Sequence, residues 1–135
     1  MKSLSPALAA FVAMAVVMMA LDAVWIGVVA QSMYQQGIGA LMAPQPRLGA
    51  AILFYAVYCL GLAVFVVAPH AAEPAWGKTL GRAALFGIVA YATFDLTALA
   101  TLKDWPVGLS FIDMAWGAVI STAACSVGRA VWRRL

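Results

Sequence analysis

The sequence predicts an all-α polytopic membrane protein, a four-transmembrane-helix bundle forming a single domain over residues 1–135. Two observations carry that fold class. Of the 135 residues, 66% are hydrophobic and 10% charged, and the mean hydropathy is +0.99, whereas a soluble domain carries about 25% charged residues. A water-soluble globule of this size would lack the polar surface to coat itself, so lipid is the fitting solvent. The second observation is that the apolar residues gather into four runs. Each approaches the roughly 20 residues that a helix needs to cross a hydrocarbon core of about 30 Å.

The first run, 7–29, is interrupted only by Asp22. It is too long for the apolar core of a cleaved signal peptide, about 7–15 residues, despite Lys2 before it and Val28 and Ala30 as a loose cleavage pattern. It is therefore expected to be retained as a span. The second run, 48–67, lies between Arg47 and Pro69 and has no charge. The third, 83–102, carries Asp95, and the fourth, 110–131, carries Asp113 with Arg129 at its far end. Helices satisfy their own backbone hydrogen bonds, as the bilayer interior requires.

Charge then orients the bundle. Lys2, Lys78, Arg82, Arg129, Arg133 and Arg134 fall on one side, and Arg47 and Lys103 on the other. This bias predicts cytoplasmic termini. The net charge of +3 does not imply a nucleic-acid partner, because the basic residues sit in ones and twos at the ends of the apolar runs. Residues 30–47, with three glutamines and glycine punctuation, are expected to form a short interfacial helix or a loop lid. Residues 103–108 are expected to make a tight turn with Trp105 at headgroup depth.

Chemistry in such a chain is sought among the ionisable residues inside the spans, which are costly to keep there. At 1.5 Å of rise per residue, Asp22 and Asp95 lie about 10 Å from the outer ends of their runs and Asp113 about 5 Å. All three belong to the outer half, and no lysine or arginine lies deep in a span to neutralise them. Either the carboxyls stay protonated and hydrogen-bonded, or a cation visits. Helical spacing puts Asp22 on one face with Trp25, and Asp95 on one face with Tyr91, while Tyr55 and Tyr58 are neighbours one turn apart. Asp113, Gly117, Ser121 and Ala124 form a stripe whose small residues suit helix packing and turn Asp113 inward. The candidate site is thus Asp22, Trp25, Tyr55, Tyr58, Tyr91, Asp95, Asp113 and Trp116, converging on one pocket. The plainer reading makes Trp25, Trp116, Tyr55 and Tyr58 belt residues of the membrane interface. Thr93, Thr97 and Thr101 are expected to pack or to bond back to the preceding turn.

No cofactor, metal or catalytic residue is expected. Cys59 and Cys125 lie in apolar runs and His70 is the lone histidine, which leaves no zinc cluster. The stretch 91–117, YATFDLTALATLKDWPVGLSFIDMAWG, resembles the signature of the domain-of-unknown-function family numbered 2177. DAVWIG at 22–27 and FYAVYCLGLAVFVVAP at 54–69 resemble that family's first two spans. The resemblance implies a four-span protein of the bacterial inner membrane and brings no activity. Its loose association with lipid-modification and stress-response neighbourhoods points towards a lipid or apolar ligand. Three functions compete: binding or transport of a small molecule, proton, cation or lipid; a lipid-modifying enzyme using an aspartate as general acid or base; and a non-catalytic accessory subunit. Pairing of two copies across a two-fold axis is compatible with the first, by analogy with small multidrug transporters.

Overall fold

The computed structural model describes the backbone from residue 4 to residue 135 and the side chains from residue 6. Lys2, counted above among the topogenic charges, lies outside the described residues. The chain is 85% helical, with no strand among the described residues. Four helices are long and apolar enough to cross a membrane: Pro6–Val29, Leu48–His70, Gly77–Thr101 and Val107–Arg134. Both described ends of the chain lie at one end of this bundle, here the terminal end. The opposite, distal end carries a short helix, Gln31–Ile38, and a 3-10 turn, Gly39–Leu41. The glutamine-rich link is therefore a connecting helix followed by the 3-10 turn and a bent stretch of irregular chain.

The spans run beyond their apolar cores mainly at the terminal end. The second reaches His70 through Pro69, because its hydrogen bonding shifts to a π register over Ala63–Val67 just before the proline. A proline removes one donor and crowds the carbonyl four residues back, and a widened turn accommodates both. A second π turn, Trp25–Val29, closes the first span, with the Ala30 amide donating to Trp25 O at 2.7 Å.

The fourth span is the centre of the bundle and packs along both the first and the third. Ala10, Met14, Met18 and Asp22, each one helical step of four apart, form the buried stripe of the first span. On the fourth, Gly117, Ser121, Ala124 and Gly128 are buried. A Cβ at Gly87 would fall on Gly117 O, and one at Gly117 on the ring of Tyr91. These two glycines let the third and fourth backbones touch, the mode of packing open to helices that gain nothing from leaving lipid. The second span leans on the first, and its backbone comes closest to the third at its π turn, while Tyr58 and Gly61 reach the third through side-chain contacts with Phe86 and Tyr91. Towards the distal end the second and third spans therefore part. Large apolar side chains such as Val12, Val16, Leu53, Val57, Leu85 and Val89 stand exposed around the bundle, the surface of a protein solvated by hydrocarbon.

At the terminal end the loop 71–76 is held by arginines of the fourth span. Arg129 is fully buried. Its Nη1 donates to His70 O at 2.9 Å and its Nη2 to Glu73 O at 2.6 Å, with the guanidinium 4.6 Å from the centre of the Trp76 ring. Arg133 Nη1 donates to Ala71 O and Glu73 O at 2.8 and 2.9 Å. The sequence reading treated Arg129 as a topogenic charge; five donors in a rigid fork make it a clamp on loop carbonyls as well. His70 Nδ1 donates to Glu73 Oε2 at 2.7 Å, and Lys78 stands 3.7 Å from the same carboxylate. The His70 bond, with Lys78 behind it, holds Glu73 below the usual carboxylate range.

Candidate functional site

The three intramembrane aspartates occupy the distal half, and Asp22 and Asp113 have different hydrogen-bond partners. Asp22 continues the buried stripe of the first span and receives two donors: Tyr55 Oη on Oδ2 at 2.7 Å and Trp116 Nε1 on Oδ1 at 2.9 Å. Both donors come from other spans, so this carboxyl fastens the first span to the second and fourth. Trp116 stacks on Trp25, with ring centroids 4.5 Å apart and planes 5° from parallel. Trp25 Nε1 in turn donates to Tyr34 Oη at 3.3 Å. The two indoles thus serve the bundle's internal contacts, each also making a polar bond.

Tyr34 belongs to the connecting helix and was not among the residues singled out from the sequence. Its hydroxyl donates to Asp113 Oδ1 at 2.7 Å. Burial, followed by the bond to Asp113, raises the phenol well above its ordinary range, so it remains a donor. Gly37, one turn further on, lies against Pro106 and Leu109, which seats the connecting helix on the start of the fourth span. No local signal marks Tyr34: it is one tyrosine in a polar, glycine-punctuated link, and only the tertiary fold brings it to Asp113.

Asp113 is half-buried and neighbours the Asp95 carboxyl. Asp95 is 2% exposed, and its Oδ2 is buried without a partner. In line with the sequence expectation, Thr93 and Thr101 bond back to Val89 O and Thr97 O, at 2.7 Å each, and contribute nothing to this pair.

A cleft of about 450 Å³ opens where the second and third spans part, and Asp113 forms part of its lining. Its walls are Phe54 and Tyr58 from the second span and Ala90, Tyr91 and Phe94 from the third. Phe54 and Phe94 are exposed at the rim, while Tyr58 is buried and shares a hydrogen bond with Ser121 Oγ at 2.7 Å. Tyr58 sits edge-on to Phe86 and Tyr91, at 5.3 and 6.0 Å. Beyond Tyr58 and Ala90, which line both, a second cavity of about 490 Å³ runs towards the terminal end between Val57, Gly61, Val64 and Phe86. Every side chain around that second cavity except the Tyr58 hydroxyl is apolar.

Of the residues singled out from the sequence, Tyr58, Tyr91 and Asp113 therefore line the cleft, with Asp95 behind Asp113. Asp22, Trp25, Tyr55 and Trp116 form a separate interhelical cluster, joined to Asp113 through Tyr34. The sequence reading missed Phe54 and Phe94, whose phenyl rings are indistinguishable by pattern from lipid-facing ones. No group of three or more histidine, cysteine, aspartate or glutamate side chains that could hold a metal occurs among the described residues. The arrangement can receive a positive or hydrogen-bonding head at Asp113, between aromatic faces that also attract cations, with an apolar tail beside it.

The family model described as "Predicted membrane protein (DUF2177)" matches residues 7–130. No curated protein and no solved structure gives a significant match.

Proposed function

Because the chain belongs to this family of predicted membrane proteins, whose description names no activity, we propose a function from the site itself: the protein binds an amphipathic monocation that enters the cleft from the bilayer. Its head pairs with Asp113 between Tyr58 and Tyr91, and its alkyl chain lies along the second cavity. The observation that carries this reading is that the two cavities adjoin, with Tyr58 and Ala90 in the walls of both. One end offers a carboxyl and aromatic faces, and the other offers only hydrocarbon. Ion pairing and cation–π attraction both strengthen where water is excluded, and an alkyl chain leaves the bilayer for an apolar groove at little cost. The bundle is read as having both termini cytoplasmic, on the strength of its lysine and arginine distribution, and as lying in a bacterial inner membrane, which the family resemblance alone implies.

Binding is tested with the protein in lipid nanodiscs and three probes of equal chain length: decyltrimethylammonium, decyl sulfate and decyl glucoside. The cation is expected to bind at least about tenfold more tightly than the other two, a difference of about 1.4 kcal/mol. Asp113→Asn is expected to abolish that preference, and Phe94→Ala to weaken the cation. Equal binding of the three probes, or a preference unchanged in Asp113→Asn, would refute the reading.

A further inference from the structure

The two carboxyls behind the cleft do not play the same part. We infer that Asp95 is the proton-holding partner of Asp113, so that the site presents one negative charge and selects monocations over dications. This rests on the reading of the cleft given above and names the charge class it takes.

The inference starts from geometry. Asp113 lines the cleft and accepts the Tyr34 hydroxyl. Asp95 is 2% exposed, and its Oδ2 is buried with no partner. A buried, unpartnered carboxylate oxygen is expensive, whereas a carboxylic acid beside a carboxylate supplies the missing bond by donating its proton across the pair. Two neighbouring carboxyls in a low-dielectric site cannot both ionise cheaply. The surrounding groups offer no alternative relief. Tyr34 from the connecting helix already donates to Asp113. Tyr91 from the third span, and Tyr55, Tyr58 and Asp22 from the second and first, are hydroxyls or a further carboxyl, and none is a cation. Lys103 and Asp104 of the turn between the third and fourth spans are exposed. No basic side chain of the described residues forms an ion pair with Asp95 or Asp113.

Asp95 is thus a positioning residue: its O–H orients the Asp113 carboxylate and reduces the charge of the pair to one. Asparagine reproduces that state, because its amide N–H can donate to Asp113 as the acid does. Alanine cannot. The test measures decyltrimethylammonium and decane-1,10-bis(trimethylammonium) binding in nanodiscs to wild type, Asp95→Asn, Asp95→Ala and Asp113→Asn. It is paired with infrared difference spectra of the protonated-carboxyl region. The expected result is that Asp95→Asn binds the monocation within about threefold of wild type, while losing one protonated-carboxyl band. Asp95→Ala and Asp113→Asn should each weaken binding about tenfold or more. Loss of monocation binding in Asp95→Asn, a wild-type preference for the dication, or an infrared band that survives Asp95→Asn would overturn the inference while leaving the cleft as a cation site. Absence of monocation binding to wild type would overturn both, and the decyl sulfate and decyl glucoside arms identify that outcome.

Discussion

Tyr34 Oη donates to Asp113 Oδ1 across 2.7 Å, although 79 residues separate them in the chain. This bond ties the connecting helix to the carboxyl that lines the cleft. Removing it with Tyr34→Phe should cost about 1 kcal/mol of stability. The pH dependence has a definite sign. The folded phenol is raised above its ordinary value of 10.0 by burial and by the bond to Asp113, so its contribution is fully present below about pH 10 and is lost as pH climbs above it. Thermal midpoints of wild type should therefore fall more steeply above about pH 10 than those of Tyr34→Phe. Parallel profiles would show that the hydroxyl is not held as described.

Close backbone contact between the third and fourth spans should make Gly87 intolerant of even one carbon. A Cβ there meets Gly117 O and Ser121 Oγ, so Gly87→Ala should destabilise by about 1–3 kcal/mol. Val119→Ala, on the exposed side of the fourth span, should change stability by about 0.5 kcal/mol or less. Unfolding in detergent micelles compares the two. Equal stability would remove the glycine contact from the account.

Asp22 should behave as a fastener. Its two donors differ: an indole N–H can only donate, whereas a tyrosine hydroxyl can turn and accept. Asp22→Asn keeps an oxygen for Trp116 and offers an N–H to Tyr55, so its stability should stay within about 1 kcal/mol of wild type. Asp22→Ala strands both donors and should cost about 1–3 kcal/mol or more. Thermal unfolding of the two variants gives the comparison, and an Asn variant as unstable as the Ala variant would contradict this geometry.

The terminal-end clamp predicts an asymmetry between two neighbouring arginines. Arg129 is fully buried and spans two carbonyls, whereas Arg133 is exposed. Arg129→Lys cannot reproduce the fork and should cost about 2 kcal/mol or more through unsatisfied carbonyls. Arg133→Lys should cost less than about 1 kcal/mol. Limited proteolysis of the loop 71–76 reports the same difference as faster cleavage in Arg129→Lys.

Topology is checked with reporter fusions. Fusions after Arg134 and near Gly77 should report the cytoplasm, and one within the Gly37–Gly39 stretch should report the opposite side. A C-terminal fusion active outside the cytoplasm would reverse the orientation drawn from the basic residues.

The fold class was legible because bilayer thickness imposes a length and a composition that any four such runs display. The buried stripe of the fourth span was legible for a related reason: Gly117, Ser121 and Ala124 are small at helical spacing. The division of the aspartates was not. Asp22, Asp95 and Asp113 have similar depths in the sequence, and depth is all that counting residues provides. Their separation depends on which neighbour each helix turns towards, and that is fixed by the Gly87–Gly117 contact and by the parting of the second and third spans. Tyr34 and Arg129 were hidden for the same reason, since a polar link and a basic helix end look ordinary until their tertiary partners are known. Phe54 and Phe94 illustrate the limit most plainly. A phenyl ring facing lipid and one at the rim of a lipid-facing cleft have the same local pattern.

The most direct test of the cleft is to find where an amphipathic cation touches the chain. A decylammonium carrying a photoreactive diazirine near its head is irradiated with the protein in nanodiscs, and the modified residues are mapped by peptide mass spectrometry. Labelling should concentrate on Phe54, Tyr58, Tyr91 and Phe94, and excess decyltrimethylammonium should suppress it, as should Asp113→Asn. Labelling spread over the exposed faces of the first and fourth spans, such as Val12, Val16 and Val119, and indifferent to competitor, would contradict the assignment of the cleft as a cation site.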